Sequence, residues 1–526
     1  MMSRLHFILL ICVVFFTVSG CQSVASKQLH GIAFETTPLI NAQVILLDAK
    51  GKIRKTYTDS NGQYNFALRG ITAPILMSVA GGDHADCINN NKLRPICMAA
   101  FIDHFSSDPV QLGNINPLSD RIVSDIAVMK GFIGPQQWIN SKIIGEVQQD
   151  WVDQALLQMQ KGFGDAFMYL GIENSKEFNP VTYSLEQHNS VSKILSLIHH
   201  NRNYDNNSGQ TGHATLTDIG FRPIASLFSL GEYETFNFIR ASDEFIKIKN
   251  AKIRIFIIGD STSAVYEKLR FPRMGWGQAL AEKFSNRDDI VVVVGSRAGR
   301  SSRDFYNGRW FAQMEPLIQK GDYLFINHGH NDQNCDSSKP IRGAADVYNL
   351  CTYPNDGYHQ LQFSEGKSAM SFQVSLENYI RIARKKSAYP VLLTPTTRIK
   401  NAAGQQTTPV VHSHLTKQYP GNGYLFVGDY TQTIKDTAQK NQVPLIDLET
   451  KSIEFVNSLD DADWRHYWLV IDPEKYPFYA NGVPGSVQQP DGTHFQKVGA
   501  YKMAELVLQL IKENSELSVL AKMIEQ

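Results

Sequence analysis

In this chain of 526 residues a serine in a context suited to acyl transfer stands far from an aspartate and a histidine that lie close together. Ser261 follows an apolar run at 253–258 that stops at Gly259 and Asp260, so a buried strand would end there and present the hydroxyl on a tight turn. A hydroxyl is a poor nucleophile at neutral pH and needs a base to take its proton during attack. His494 is the candidate base, and Asp491, three residues before it, would fix the tautomer and stabilise the imidazolium. The chain order Ser, Asp, His matches an α/β-hydrolase, but no Gly-x-Ser-x-Gly elbow surrounds the serine.

Two more blocks follow apolar runs of their own. Gly-Ser-Arg-Ala-Gly-Arg-Ser-Ser-Arg (295–303) comes after 290–294, and Asn-His-Gly-His-Asn-Asp (327–332) comes after 323–326. With the Ser261 turn and Asp-Gly-Thr-His (491–494), these blocks in this order resemble the SGNH (GDSL-type) hydrolase superfamily. Gly-Trp-Gly-Gln (275–278), Ala-Gly-Arg-Ser (298–301) and Gly-His-Asn-Asp (329–332) are similar to its rhamnogalacturonan acetylesterase-like branch. The resemblance spans about 252–512, half of the chain. It implies Ser261 as nucleophile, His494 as base and Asp491 as its partner, with an oxyanion hole made of the backbone N–H of Ser261, the backbone N–H of Gly299 and the Asn331 amide. The Ala-Gly-Arg-Ser context selects Gly299 over Gly295, and the lack of a Cβ would let backbone approach substrate closely. The implied activity is a serine carbohydrate esterase that removes acetyl or other short acyl groups from an acetylated polysaccharide, rhamnogalacturonan or pectin first. The alternatives are a lipase or lysophospholipase, for which no apolar helical lid is visible, and a non-catalytic glycan-binding surface lipoprotein.

Neighbouring residues are open to more than one reading. Asp260 and Asp332 would order their turns, and Arg300, Arg303 and Arg309 would either contact an acidic sugar or tie loops together. His328 and His330 flank Gly329, but no third ligand block accompanies them, so the expectation is no metal and no cofactor.

Positioning these groups takes strands that end on one edge. Apolar runs at 253–258, 290–294, 323–326, 391–393 and 444–446 alternate with helical stretches at 278–284, 372–386 and 430–440, which predicts a parallel sheet with helices on both faces. In such a sheet ligands bind beyond the carboxyl ends of the strands, where the Ser261, Gly299 and Asn331 blocks fall.

The rest of the chain reads as other units. Arg4, an apolar run at 5–17 and Val-Ser-Gly-Cys (18–21) form an export signal too short for a comfortable span. The ending resembles a bacterial lipoprotein signal, which implies that Cys21 is lipidated. The expected location is the outer membrane, periplasmic or surface-facing, with plain secretion as the alternative. Beyond Cys12 of the signal and Cys21, four cysteines fall as two local pairs, which in an oxidising compartment suggests disulfides Cys87 to Cys97 and Cys335 to Cys351, with crossed pairing as the alternative. The domain plan is therefore a signal (1–20), a β-sandwich resembling carboxypeptidase-regulatory or transthyretin-like modules (21–114), a helical and mixed region (115–249) and an α/β/α hydrolase domain (250–526). In the middle region His199 and His200 end an apolar helical run and read as surface or cap residues. After Asn331, the insertion 334–370 holds Tyr348, Tyr353, Tyr358 and Phe363, an aromatic wall for a sugar groove or an inert loop. A formal net charge of zero gives no footprint for nucleic acid.

Overall fold

Alternating apolar residues make the N-terminal strands. β1 (Gln28–Ile32), β2 (Gln43–Asp48), β3 (Ile53–Tyr57), β4 (Gln63–Ala67), β5 (Ile75–Gly81), β6 (Ile96–Ile102) and β7 (Val110–Leu112) form two sheets, in the orders β4-β1-β7 and β3-β2-β5-β6. Leu29, Tyr64 and Phe66 from the first sheet and Val44, Met77 and Met98 from the second share one apolar core. The computed structural model describes residues 27–81, 87, 95–172, 177–204, 211–225, 233–333, 335, 350–354, 371–418 and 426–525. Cys21 and the export signal lie outside the described residues, as do Tyr348, Tyr358 and Phe363.

The middle region opens with α1 (Pro117–Met129), capped by Asn116, and continues through α2 (Pro135–Asn140), α3 (Gln149–Tyr169) and α4 (Leu185–Leu195). A three-stranded antiparallel sheet follows, β8 (Ile198–Tyr204), β9 (Thr211–Asp218) and β10 (Pro223–Ala225), and α5 (Phe238–Asn250) leads into the hydrolase half. Residues 117–127 of α1 are buried, so its charges must be paired. Asp120 accepts from Arg202 at 2.5 and 3.0 Å and lies 2.8 Å from His200 Nε2, and Arg121 pairs with Asp125 at 3.0 Å. His199 and His200 are thus buried residues of β8, not surface or cap residues. The apolar helical pattern ends before Ile198, and partners on α1 make burial of the polar strand affordable.

In the C-terminal half, β11 (Ile253–Gly259), β12 (Arg273–Met274), α6 (Trp276–Lys283), β13 (Ile290–Val294), α7 (Ser302–Asn307), α8 (Trp310–Met314), β14 (Tyr323–Asn327), α9 (Phe372–Lys385) and β15 (Tyr389–Leu393) come in order. They are followed by β16 (Leu415–Gln418), β17 (Phe426–Asp429), α10 (Tyr430–Asn441), β18 (Leu445–Ile446), α11 (Leu448–Asn457), β19 (Trp468–Leu469), β20 (Asp491–Gln496) and α12 (Lys497–Glu513). The main sheet is five-stranded, in the order β13-β11-β14-β15-β18, and every pair in it is parallel. Side chains alternate across it. Ile255, Ile257, Phe325 and Val391 face a core shared with α6 and α12. Phe256, Ile258, Leu324 and Leu392 face a second core, shared with α9, α10, Phe311 and the middle region's Phe221, Ile224 and Phe236. The middle region is therefore a packing layer of the hydrolase half.

Candidate active site

Each reactive side chain is held by its own strand end. β11 stops at Gly259, where a Cβ would come within 2.4 Å of Asn327 O, so only glycine lets β11 and β14 close up here. Asp260 Oδ1 then accepts from Thr262 N at 3.0 Å and Thr262 Oγ1 at 2.9 Å, folding the turn that carries Ser261. Tyr266 Oη donates to Ser261 O at 2.5 Å and accepts from Arg273 Nη2 at 3.1 Å. His494 lies on β20, which pairs with β12 and β19 outside the main sheet. Its Nε2 is 2.8 Å from Ser261 Oγ, and its Nδ1 is 2.6 Å from Asp491 Oδ2. The other Asp491 oxygen accepts from Thr493 N at 2.8 Å and His494 N at 3.2 Å, which fixes the carboxylate plane against the ring.

The electrostatics fit proton transfer. Burial would push Asp491 up, but the His494 hydrogen bond and charge, helped by Thr493 N–H and Arg273, hold it well below the usual carboxylate range. Burial and then Arg273 lower His494, while Asp491 opposes them. A base that stays neutral and hydrogen-bonded to a hydroxyl can take its proton.

The oxyanion candidates differ in what holds them. Gly299 has φ +73°, and a Cβ there would meet nothing within 4 Å, so the left-handed backbone rather than close packing requires glycine. Asn331 Nδ2 is buried with no hydrogen-bond partner among the described residues. An unmet amide donor is costly, and an incoming acceptor would satisfy it. The blocks are also tied to one another. Arg297 N donates to Gly259 O at 3.0 Å, Ser263 and Ser296 hydroxyls meet at 2.8 Å, and Asp332 Oδ1 accepts from Ser302 N at 2.7 Å. Burial raises Asp260 to about 6 and Asp332 to about 7, against their Thr262 and Ser302 hydrogen bonds.

Several neighbours take roles in loop structure. Arg300 pairs with Asp304 at 2.9 Å, and Arg309 stands 3.8 Å from Glu35 of the N-terminal region. Arg303 is close enough to Tyr379 for its charge to act on the phenol. His328 lies between the rings of Phe305 and Tyr379, and burial pushes it down to about 3. Disulfides join Cys87 to Cys97 and Cys335 to Cys351. Tyr353 donates to Asp436 on α10 at 2.6 Å, so this aromatic of the insertion is spent on packing.

Sequence reasoning missed Tyr266, Arg273 and a histidine group next to the Asn331 loop. His414 Nε2 is 3.2 Å from His330 Nδ1, and Glu449 lies between His412 and His414. One ligand atom each from His412, His414 and Glu449 lie within 4.8 Å of one another, a set that could hold a metal ion. No motif announces it, because Glu449 stands 35 residues beyond His414.

Residues 255–507 match the GDSL-like lipase/acylhydrolase family. This half of the chain is a GDSL-type hydrolase domain. The protein is accordingly a carboxylic ester hydrolase. It is 27% identical over 264 residues to the rhamnogalacturonan acetylesterase RhgT of Bacillus subtilis, an alignment covering 50% of this chain and 90% of that one. It is 29% identical over 259 residues to a second protein of that organism, named "Probable rhamnogalacturonan acetylesterase YesY", covering 49% and 92% of the two chains. To a rhamnogalacturonan acetylesterase of Emericella nidulans it is 27% identical over 189 residues, covering 34% and 69%.

Proposed function

We propose that this esterase removes acetyl groups from a pectic polysaccharide, rhamnogalacturonan, by a serine mechanism. The observation that carries the reading is the line Asp491 Oδ2, His494, Ser261 Oγ, with contacts of 2.6 and 2.8 Å. In it His494 takes the Ser261 proton as Oγ attacks the ester carbonyl, Asp491 stabilises the imidazolium, and the imidazolium gives the proton to the departing sugar oxygen as its bond to the carbonyl carbon breaks. Asn331 Nδ2, Gly299 N and Ser261 N are the oxyanion donors, and water then releases acetate by the same steps. The sugar class is supported by the two Bacillus subtilis relatives, which this half of the chain covers almost end to end.

Acetate release from acetylated rhamnogalacturonan, acetylated xylan and long-chain p-nitrophenyl esters tests the reading. Turnover should be highest on the first substrate and fall at least about 10⁴-fold in Ser261→Ala, because nucleophile and base act as one unit. Preference for long acyl chains would replace the reading with a lipase. The Val-Ser-Gly-Cys ending at 18–21 supports export with a lipid on Cys21. Cys21→Ser should then move the protein from the membrane to the soluble fraction, and unchanged membrane association would remove the anchor from the proposal.

A further inference from the structure

The esterase chemistry leaves the donors of His412, His414 and Glu449 unused. Residues 411–414 lie outside any helix, held by Val411 N to Lys400 O and Tyr430 N to His414 O, each 3.1 Å. Both rings approach one carboxylate from this segment. Glu449 sits in the first turn of α11, with its N–H held by Thr394 Oγ1 at 2.8 Å. Its Oε2 is 2.9 Å from His412 Nδ1, and its Oε1 is hydrogen-bonded by His414 Nδ1.

The far side of each ring has a partner too. His412 Nε2 is 3.1 Å from Asp429 Oδ2, and Asp429 is itself fixed as the cap of α10, accepting from Gln432 N at 2.9 Å. His414 Nε2 is 3.2 Å from His330 Nδ1. A ligating histidine characteristically donates its second ring N–H to such an acceptor, which turns the opposite lone pair toward the ion. Two such rings around a buried carboxylate make a His, His, Glu donor set. Exposure supplies a way in, since His414 and Glu449 are at 0% and 3% while His412 keeps 32% of its side-chain surface.

We propose that His412, His414 and Glu449 bind one zinc-class dication, with Asp429 and His330 orienting the two imidazoles. Two nitrogens and one carboxylate oxygen suit zinc, whereas magnesium and calcium favour six or more oxygens. A water on the His412 side completes four ligands. The ion joins the 411–414 segment to α11 and, through His414 and His330, braces the loop that carries Asn331. It takes no part in attack on the ester.

The test uses full-length protein without a histidine tag, stripped with chelator and titrated with zinc chloride. Bound zinc is counted by mass spectrometry, and cobalt substitution is followed by its visible bands. The wild type should bind one zinc at micromolar or lower concentration and give the intense bands of four-coordinate cobalt. Zinc affinity should fall about 10–100-fold in Asp429→Asn, which keeps the cap of α10 and removes only the charge of the acceptor that orients His412. It should fall further in Glu449→Gln and His412→Ala, and the partly exposed His412 keeps the test usable if the buried Glu449 variant misfolds. Absence of stoichiometric zinc and of cobalt bands in the wild type would overturn the proposal, as would equal affinity in folded His412→Ala. The group would then be a hydrogen-bonded brace filled by protons.

Discussion

Asn331→Ala should separate activity from stability. Asn331 Nδ2 is buried and has no partner among the described residues, so the folded protein bears the cost of an unmet donor, about 1–3 kcal/mol for such a group. Removing the amide lifts that cost and forfeits whatever contacts its other atoms make, so stability should stay within about 1 kcal/mol of wild type or rise. Turnover should move the other way. Loss of one oxyanion donor costs about 2.7–4 kcal/mol in the transition state, so kcat should fall about 10²–10³-fold while KM changes little. The assay pairs initial rates on p-nitrophenyl acetate and acetylated rhamnogalacturonan with urea denaturation of the same samples. A variant that keeps kcat within threefold, or changes only KM, would refute the role. A loss of several kcal/mol in stability would show that the amide is satisfied in the fold.

Other outcomes are equally specific. Neutral His494 is the reactive form, and burial and Arg273 hold its pKa below 6.5, so the acid limb of kcat/KM should have its midpoint below 6.5. Arg273→Gln removes a repelling charge and should move that limb to higher pH, read from a rate profile; no movement would remove Arg273 from the account. Gly299→Ala should destabilise by about 1–2 kcal/mol by denaturant titration, all of it from the left-handed backbone because the added methyl has open space. A fragment of residues 241–526 should be insoluble or aggregate on gel filtration, because Phe221, Ile224 and Phe236 share a core with Phe256 and Phe311. A monomeric active fragment would contradict that.

The parallel sheet was legible because strands buried on both faces are unbroken apolar runs, as in Ile-Val-Val-Val-Val of β13. The Ser261, Asn331 and His494 blocks were legible because they are short and contiguous. β20 was not, since Asp-Gly-Thr-His-Phe-Gln lacks strand alternation and is made a strand by partners in β12 and β19. The burial of His200 was equally hidden, because its reason, Asp120, stands 80 residues earlier. Glu449 with His414 is the same case, since a side-chain group assembled by tertiary packing leaves no local pattern. Gly299 was selected over Gly295 from the Ala-Gly-Arg-Ser context, yet its need for glycine lies in a backbone angle that a sequence does not display.

The alternation of β11 bears on how this chain comes to be folded during synthesis. Phe256 and Ile258 complete a core begun by residues as early as Ile32 and Phe34, while Ile255 and Ile257 wait for α12, more than two hundred residues later. The core shared by Leu29, Val44, Tyr64 and Met98 can close on its own, but the one lined by Ile32 and Phe34 stays open until β11 and the helices after it arrive. α12 then closes a second core over the opposite face of the sheet. A nascent chain therefore carries uncovered apolar surface until its C-terminal segments are made, and such surface makes a folding chain prone to aggregation.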